Sequence, residues 1–364
     1  MKLKVSKDAI NAGLQKVLSV VVARSTIPVL SNILFRAEDG KLWLTATDLD
    51  ITVRVAVEAE VARDGGTTIP ARTVAGVLRE SPGPEVEIEC GEDAVAEIRS
   101  GSAVFKLRGI VEDDFPPMPS FEEGPSYAVE ASALRAMLQR TGYAASVDET
   151  REVLNGVVLA FRDGKLTAVA TDGRRLALVE QEFEFSKEHE GEIILPSKTV
   201  AELIRILGDE GTVRIARAGS QVMFRTEGMA LTSKLIDGTF PNYRQVIPAA
   251  AEMRIAIERE LLLNAVRRVA LLTSERSNSV KLAFGRNRLE ISAASPDIGE
   301  ASETLPVKHA GGEIAVSFNP DFIVEPLRNL VTDQVYIELS DEMNPGVIKT
   351  DDPFLYVIMP MRMS

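Results

Sequence analysis

Paired acids are the residues of this chain that could most readily do catalytic chemistry. The pairs are Asp48/Asp50, Asp113/Asp114, Asp148/Glu149 and Asp351/Asp352. Two neighbouring carboxylates can hold a metal ion or act as general acid and base, so one hypothesis is a hydrolase or nuclease that uses the Asp48/Asp50 region. The chain has 54 acidic residues, however, and Asp is favoured in turns because its carboxylate accepts backbone hydrogen bonds. We therefore expect these pairs to form turns and to bind no metal.

The short motifs of common enzyme classes are missing from the sequence. It contains no GxxxxGKS/T phosphate loop, no GxGxxG that opens a helix, no HExxH and no CxxC pair. His189 and His309 lie in charged or glycine-flanked segments, and we expect both at the surface. Cys90 is the single cysteine, which excludes an intramolecular disulfide and fits a reducing compartment. The sequence predicts a protein that is not an enzyme and needs no cofactor.

Basic residues at a regular spacing indicate phosphate binding instead. In one amphipathic segment Arg72 and Arg79 are seven residues apart, which places them on one stripe of a helix. Lys198 and Arg205 repeat this pair at an offset of 126 residues (198 − 72 and 205 − 79). A third segment keeps Arg328, with an aspartate at the other position. Repetition of the same positions favours a shared basic surface over separate solvated helix faces.

The net charge of −13 does not exclude this surface. Phosphate binding depends on where the charges lie as well as on their sum. Three more amphipathic segments place basic residues at matched positions, namely Lys16, Arg140 and Arg268.

A threefold repeat must position these residues. Asn32, Asn155 and Asn278 are 123 residues apart (155 − 32 and 278 − 155), and each opens an apolar stretch that ends in a similar turn. This period is too long for a solenoid, whose units span about 20 to 50 residues. A chain of 364 residues divides well into three domains of ordinary size. We predict domains at residues 1–120, 121–247 and 248–364, with the boundaries in proline-bearing segments.

Each copy reads as helix, strands, helix, strands. In the first copy the alternation of Ile51, Val53, Val55 and Val57 predicts a strand with one buried face, and residues 71–80 predict a helix that ends before Pro82. The predicted fold class is α+β, with two helices per copy packed on a mainly antiparallel sheet. No segment resembles a signal peptide or a membrane span, so we expect a soluble, cytoplasmic protein.

Several sequence blocks together resemble the bacterial DNA polymerase III β subunit family, the β sliding clamps, from end to end of the chain. The blocks are residues 26–32 (TIPVLSN), 45–50 (TATDLD), 68–72 (TIPAR), 154–156 (LNG), 170–176 (ATDGRRL), 232–243 (TSKLIDGTFPNY) and 356–362 (YVIMPMR). The resemblance implies a head-to-tail homodimer that forms a ring of six similar domains, with helices lining the hole and sheets forming the outer wall. Duplex DNA would thread the hole and be held topologically, so the ring could slide and tether the polymerase.

The resemblance also assigns the basic residues to DNA. Arg24 and Arg72 match positions that the family uses against DNA, and the 146–153 loop offers one cation, Arg151. The full set of candidate DNA-binding residues is Arg24, Arg72, Arg79, Arg140, Arg151, Lys198, Arg205, Arg268 and Arg328.

A hydrophobic pocket for partner peptides is the second implied site, between copies two and three. The resemblance implies that the polymerase α subunit, the clamp loader, other polymerases, ligase and mismatch-repair proteins compete for it through short, Gln-led hydrophobic motifs. Matching positions are Leu154, Thr171, Gly173, Arg174, Arg175, Leu176, Pro241, Val246, Asn319, Phe322, Val347, Val357, Met359, Pro360, Met361 and Arg362.

The ring junction is the third implied site. Phe105 and Leu107 on an edge strand of copy one should meet Leu271 and Leu272 of copy three in the other chain, with Glu300 and Glu303 facing Arg99 and Lys106. Pairing two edge strands would bury otherwise exposed edges. A clamp-like scaffold that binds peptides without tethering DNA remains the alternative function, which the basic stripes disfavour.

Overall fold

The computed structural model describes residues 1–91, 93–118, 126–249, 251, 253–274 and 278–361. These residues contain six α-helices: α1 (Lys7–Val17), α2 (Ala71–Glu80), α3 (Ala131–Thr141), α4 (Ser197–Ile206), α5 (Arg259–Ala270) and α6 (Pro320–Asn329). None of them is long and apolar enough to cross a membrane.

Strands form most of the described residues outside the helices. The first twelve are β1 (Lys2–Ser6), β2 (Asn32–Glu38), β3 (Lys41–Thr47), β4 (Ile51–Arg63), β5 (Gly65–Pro70), β6 (Glu85–Cys90), β7 (Val95–Ser100), β8 (Ala103–Arg108), β9 (Ser126–Glu130), β10 (Gly156–Arg162), β11 (Lys165–Thr171) and β12 (Arg175–Glu182). The next twelve are β13 (Gly191–Pro196), β14 (Thr212–Ala218), β15 (Gln221–Thr226), β16 (Met229–Lys234), β17 (Met253–Glu258), β18 (Val280–Gly285), β19 (Arg288–Ser295), β20 (Gly299–Pro306), β21 (Ile314–Phe318), β22 (Gln334–Leu339), β23 (Gly346–Lys349) and β24 (Phe354–Ile358).

The chain forms two compact units that differ from the predicted copies. Unit 1 comprises residues 1–134 and 205–235, and unit 2 comprises residues 135–204 and 236–364. Each unit joins strands of successive copies, because β4 of copy one pairs with β16 of copy two and β12 of copy two pairs with β24 of copy three. The domain boundaries near residues 120 and 247 stay predictions.

Unit 1 is built on one antiparallel sheet. The order is β8-β7-β6-β1-β4-β16-β15-β14-β9, while β3 pairs with β4, β2 with β3, and β5 with β2. Ile51, Val53, Val55 and Val57 are buried along β4, as the alternation predicts. Helix α1 packs on β4 and begins at Ser6, whose hydroxyl accepts a hydrogen bond from the Ala9 amide, which satisfies one of the unpaired amides of the first turn.

Unit 2 contains two antiparallel sheets. Their orders are β13-β10-β11-β12-β24-β23-β22-β17 and β20-β19-β18-β21. Helices α5 and α6 pack on each other. Helix α6 begins at Asn319, whose side-chain oxygen accepts a hydrogen bond from the Asp321 amide.

The surface prediction for His309 is wrong. Its side chain is buried, with Nε2 3.0 Å from the carbonyl oxygen of Gly312. A side chain on Gly311 would begin 2.6 Å from the His309 ring, so this glycine allows the backbone to fold closely over the imidazole. Cys90 is buried in β6, as expected of a small apolar residue.

Candidate functional sites

A threonine and an aspartate organise the turn between β11 and β12, and five of the predicted pocket residues lie within residues 171–176. The Thr171 hydroxyl donates to the Arg175 carbonyl oxygen at 2.5 Å and accepts from the Gly173 amide at 3.1 Å. Asp172 Oδ1 accepts from the amides of Arg174 (2.8 Å) and Arg175 (3.0 Å). Gly173 has a φ of +88°, which glycine adopts without steric cost. These bonds fix the turn before any ligand is bound.

The turn between β3 and β4 has the same bonds. The Thr47 hydroxyl donates to the Ile51 carbonyl oxygen at 3.0 Å and accepts from the Leu49 amide at 3.1 Å. Asp48 Oδ1 accepts from the amides of Asp50 (2.9 Å) and Ile51 (2.7 Å). Asp50 forms an ion pair with Lys234 at 2.9 Å. Both carboxylates of the candidate nuclease site therefore already have structural partners.

The other acid pairs contain turn-forming and ion-paired residues as well. Asp148 accepts hydrogen bonds from the backbone and hydroxyl of Thr150, which together with Arg151 lower its pKa. Asp352 lies 3.5 Å from Arg140. Across the described residues no group of three or more His, Cys, Asp or Glu side chains could hold a metal ion.

An apolar cluster forms the centre of the predicted pocket in unit 2. Its buried members are Leu154, Val158, Ala160, Val169, Leu176, Ile194, Phe240 and Val357, and Val153, Leu178, Ile236, Tyr243, Ile247 and Leu355 pack against them. We call this cluster and the adjoining residues 359–361 the groove. The sequence predicted Leu154, Leu176 and Val357. It missed all the others, although the alternation of Val158 and Ala160 along β10 marks one sheet face.

Residues 359–361 continue from β24 along the groove. The Met359 amide donates to the Arg174 carbonyl oxygen at 2.9 Å, and the Met361 amide donates to the Ser317 carbonyl oxygen at 2.7 Å. Both methionine side chains remain substantially exposed, at 44% for Met359 and 40% for Met361. Flexible, polarisable thioethers suit a surface that accepts several related apolar ligands. Pro360 is half-buried between them.

The remaining predicted pocket residues divide by exposure. Pro241 and Val246 are exposed near the partly buried Tyr243, and the Arg174 side chain is exposed too. Val347 is buried and pairs with Val357 in the sheet, so it supports the groove from within. Arg362 lies outside the described residues.

Arg175 is buried, unlike its exposed neighbour Arg174. Its guanidinium donates to Asp172 Oδ2 at 3.0 Å, to the Tyr143 carbonyl oxygen at 2.7 Å and to Glu325. It also stacks 4.4 Å from the ring centroid of Phe322. Burial alone would lower the pKa of Arg175, but the hydrogen bond and charge of Glu325 raise it. Burial raises the pKa of Tyr143 well above its usual value.

The predicted DNA-binding residues fall into two groups. Arg24, Arg72, Arg79 and Arg328 are exposed, and none of the four forms a hydrogen bond or ion pair with another part of the chain that the structure describes. Lys198 is also exposed. The four exposed arginines therefore remain available to phosphate groups.

The second group already has partners within the chain. In unit 1 the Arg205 guanidinium donates to the carbonyl oxygens of Gln15 (2.9 Å) and Lys16 (2.6 Å) and to the Ser19 hydroxyl (2.5 Å). These carbonyls belong to the last turn of α1, where helices leave acceptors unpaired. Arg205 therefore caps α1, a role that the helical spacing could not indicate.

The other internally paired cations lie in unit 2. Arg151 contacts Asp148 at 3.0 Å and donates to the Asp172 carbonyl oxygen at 2.9 Å. Arg268 and Glu303 form a two-bond ion pair (2.9 and 2.5 Å) that raises the pKa of Arg268 and lowers that of Glu303. For these cations DNA binding stays a prediction, because any phosphate has to compete with the present partners.

Comparison with known proteins places the whole chain in one family. Models of the DNA polymerase III beta subunit match its N-terminal domain at residues 1–119, its central domain at 128–242 and its C-terminal domain at 244–362. The beta sliding clamp of Chlamydia pneumoniae is 34% identical over 363 residues, which cover 100% of this chain and 99% of the relative. That of Caulobacter vibrioides is 35% identical over 371 residues and covers 100% of both.

The chain is a member of the beta sliding clamp family. Crystal structures agree: the DNA polymerase sliding clamp from Bacillus subtilis has a TM-score of 0.94 at 30% identity. The DnaN sliding clamp from Pseudomonas aeruginosa bound to griselimycin has a TM-score of 0.95 at 32% identity. Both comparisons cover 100% of each chain. The predicted family, three-domain α+β fold and non-catalytic function as a processivity factor of DNA polymerase III are confirmed.

The clamp's predicted junction residues lie on or beside two edge strands. Strand β8, with the half-buried Phe105 and Leu107, ends the unit 1 sheet, and β20 ends the four-stranded sheet of unit 2. Leu271 is 75% exposed and Leu272 is half-buried. Glu300 is exposed on β20.

The ionic part of the predicted junction has internal competitors. Arg99 and Lys106 both pair with Glu97, Lys106 at 3.2 Å, while Glu303 pairs with Arg268. Cross-chain ion pairs between Glu300 or Glu303 and these cations stay predictions.

Proposed function

We propose that this clamp works as a head-to-tail homodimer that encircles duplex DNA and slides along it. Two edge strands, β8 and β20, support the dimer, since each leaves backbone groups unpaired in a single chain. The apolar side chains of Phe105, Leu107, Leu271 and Leu272 supply most of the junction's stability. Exposed ion pairs contribute only about 0 to 1 kcal/mol each.

DNA is held by topology and by weak phosphate contacts. The observation that supports this most directly is a set of exposed arginines that have no partner among the residues that the structure describes. They are Arg24, Arg72, Arg79 and Arg328, in a chain of net charge −13. Phosphate contacts carry no sequence information, so they permit sliding. The basic positions repeat within the family's three domains, whose boundaries we place near residues 120 and 247.

The groove is the docking site for partner peptides. Its apolar cluster and the two exposed methionines fit short hydrophobic motifs. We assign to it the polymerase α subunit, the clamp loader, other polymerases, ligase and mismatch-repair proteins. Because these partners replicate and repair the bacterial chromosome, we assign the clamp to the cytoplasm.

Loading onto nicked circular DNA tests the encircling function. The purified clamp is incubated with the circle, a clamp loader and ATP, and retention is measured in high salt before and after the circle is linearised. We expect retention on circles and loss from linear ends, because direct phosphate binding weakens steeply with salt whereas topological linkage does not.

Two results would contradict encirclement. Equal, salt-sensitive retention on both forms would indicate binding to an outer surface. A protein that binds the Gln-led pentapeptide Gln-Leu-Ser-Leu-Phe but is retained on neither form would support the alternative scaffold function.

A further inference from the structure

We infer that Arg175 is a positioning residue of the peptide groove. It holds the turn at residues 171–175 at a fixed distance from α6, and it does not itself contact the peptide. This inference rests on the proposed peptide-binding function. Leu176 belongs to the groove's apolar cluster, and successive side chains of a strand point to opposite faces. Arg175 therefore lies on the other face of β12, where its side chain is 9% exposed.

The guanidinium connects segments that are distant along the chain. Asp172 belongs to the turn before β12, Tyr143 follows α3 by two residues, and Glu325 lies in α6, 150 residues from Arg175. A planar guanidinium can donate to several acceptors in fixed directions, which a lysine ammonium cannot reproduce. One side chain thus sets the spacing of three segments.

Two of these segments carry residues of the predicted pocket. The turn at residues 171–175 includes Arg174, whose carbonyl oxygen receives the Met359 amide. Helix α6 begins at Asn319 and presents Phe322, on which the guanidinium stacks. A change at Arg175 should therefore move the backbone partner of Met359 relative to the start of α6.

The local electrostatics explain why this connection is stable. Asp172 and Glu325 place two carboxylates around one buried cation, and the side chains of Arg175 and Asp172 are only 9% and 16% exposed. Removing one partner of such a group leaves a poorly solvated charge, which is more disruptive than losing an exposed pair. Arg286 provides a control, because it is an exposed arginine of unit 2 in the turn between β18 and β19, outside the predicted pocket.

Peptide affinity of paired variants tests the inference. Binding of fluorescein-labelled Gln-Leu-Ser-Leu-Phe to the full-length clamp is measured for Arg175→Met, Arg175→Lys, Glu325→Gln and Arg286→Lys. We expect at least ten-fold weaker binding for Arg175→Met and about three-fold for Arg175→Lys and Glu325→Gln. Arg286→Lys should change affinity less than two-fold. The double variant Arg175→Met/Glu325→Gln should bind no more weakly than Arg175→Met, because both changes remove the same connection.

Methionine methyl spectra of the unliganded clamp separate positioning from direct contact. With ¹³C-methyl methionine, the Met359 and Met361 signals should move in Glu325→Gln, while Met223 and Met229 in unit 1 should not. Unmoved Met359 and Met361 signals together with wild-type peptide affinity in Glu325→Gln would overturn the inference. If Arg175→Met fails to fold, Glu325→Gln still decides. A wild-type clamp that does not bind the peptide would instead contradict the proposed docking site, while the methyl spectra would still test the connection to Met359.

Discussion

The two threonine-aspartate turns have the same backbone hydrogen bonds and opposite surroundings. In unit 1 the turn at residues 47–51 precedes β4, which pairs with β16. In unit 2 the turn at residues 171–175 precedes β12, which pairs with β24. The register is equivalent as well, since Thr52 lies opposite Thr232, and Leu176 lies opposite Val357. Only the second of these strand pairs is followed along the chain by two exposed methionines, Met359 and Met361.

Side chains account for the difference. Where β24 is followed by Met359, the equivalent position in β16 is Lys234, which pairs with Asp50 across the turn. Part of an apolar cluster is nevertheless present in unit 1, where Leu30, Leu34 and Phe115 pack together. Repetition of the fold therefore supplies a similar framework twice, and a few polar residues distinguish the position in unit 1 from the groove.

The second helices of the copies show the same division. Arg79 in α2 is exposed with no partner in the described part of the chain, whereas Arg205, at the matching position of α4, caps α1. Equivalent positions in the repeat thus have different functions.

Among the changes that test this comparison, removal of residues 359–364 should have the largest effect on peptide affinity. We expect peptide affinity to fall at least 100-fold, since the groove loses both exposed methionines and the backbone that borders them; complete burial of one such side chain contributes about 1.5 to 3 kcal/mol. Isothermal titration with the Gln-led peptide measures the loss. The matched control Lys234→Ala should bind normally, and sedimentation should show an intact dimer. Loss of the dimer would mean that this segment belongs to the ring junction.

Replacement of the polar residues at the equivalent position of unit 1 should create a second, weaker peptide site. The triple variant Thr52→Leu/Thr232→Val/Lys234→Met replaces polar residues of unit 1 with the apolar types found at the equivalent groove positions. We expect peptide stoichiometry to rise from one toward two per chain, with the new site at least ten-fold weaker. A stoichiometry that stays at one would show that the framework of unit 1 is not sufficient for a groove.

The residues at positive φ should respond differently to substitution. Gly173 (φ +88°) and Leu49 (φ +78°) occupy the same turn position. Gly173→Ala should destabilise the clamp by about 1 to 2 kcal/mol, because a Cβ is unfavourable in the left-handed region. Leu49→Gly should change stability by less than about 1 kcal/mol, since relief of strain is offset by greater freedom of the unfolded chain. Thermal unfolding midpoints measure the stability of both variants. Equal losses of stability in Gly173→Ala and Leu49→Gly would contradict the equivalence of the two turns.

Substitution of the two arginines at matched positions, Arg79 and Arg205, should have different effects on DNA binding and on stability. Arg79→Ala should lower the slope of log affinity against log salt by about 0.9, the value for one lost phosphate contact, without changing stability. Arg205→Ala should instead lower the unfolding midpoint, by an amount equivalent to about 1 kcal/mol for lost capping bonds. The measurements are salt titrations on short duplex DNA and thermal unfolding. If Arg205→Ala lowered the salt slope without lowering the unfolding midpoint, Arg205 would be assigned to DNA binding.

The sequence was sufficient to predict the repeat, the α+β class, the buried face of β4 and the ends of α2. Each of these features depends on local periodicity or on proline. It also identified Leu176, Val357 and the methionines of the groove through the family resemblance. It did not indicate the cap on α1 or the burial of Arg175. In those cases the partners lie 190 and 150 residues away, and spacing along a helix or strand fixes a side chain's face but not what packs against it.

Methionine methyl spectra during a peptide titration test the central claim, that the repeated framework forms one peptide groove per chain. The wild-type, full-length clamp is titrated with Gln-Leu-Ser-Leu-Phe until the signals stop moving. The account predicts saturation at one peptide per chain, with the Met359 and Met361 signals shifted and that of Met229, in the equivalent strand of unit 1, unchanged. Saturation at two peptides, or a shift of Met229 with Met359 and Met361 unmoved, would contradict it.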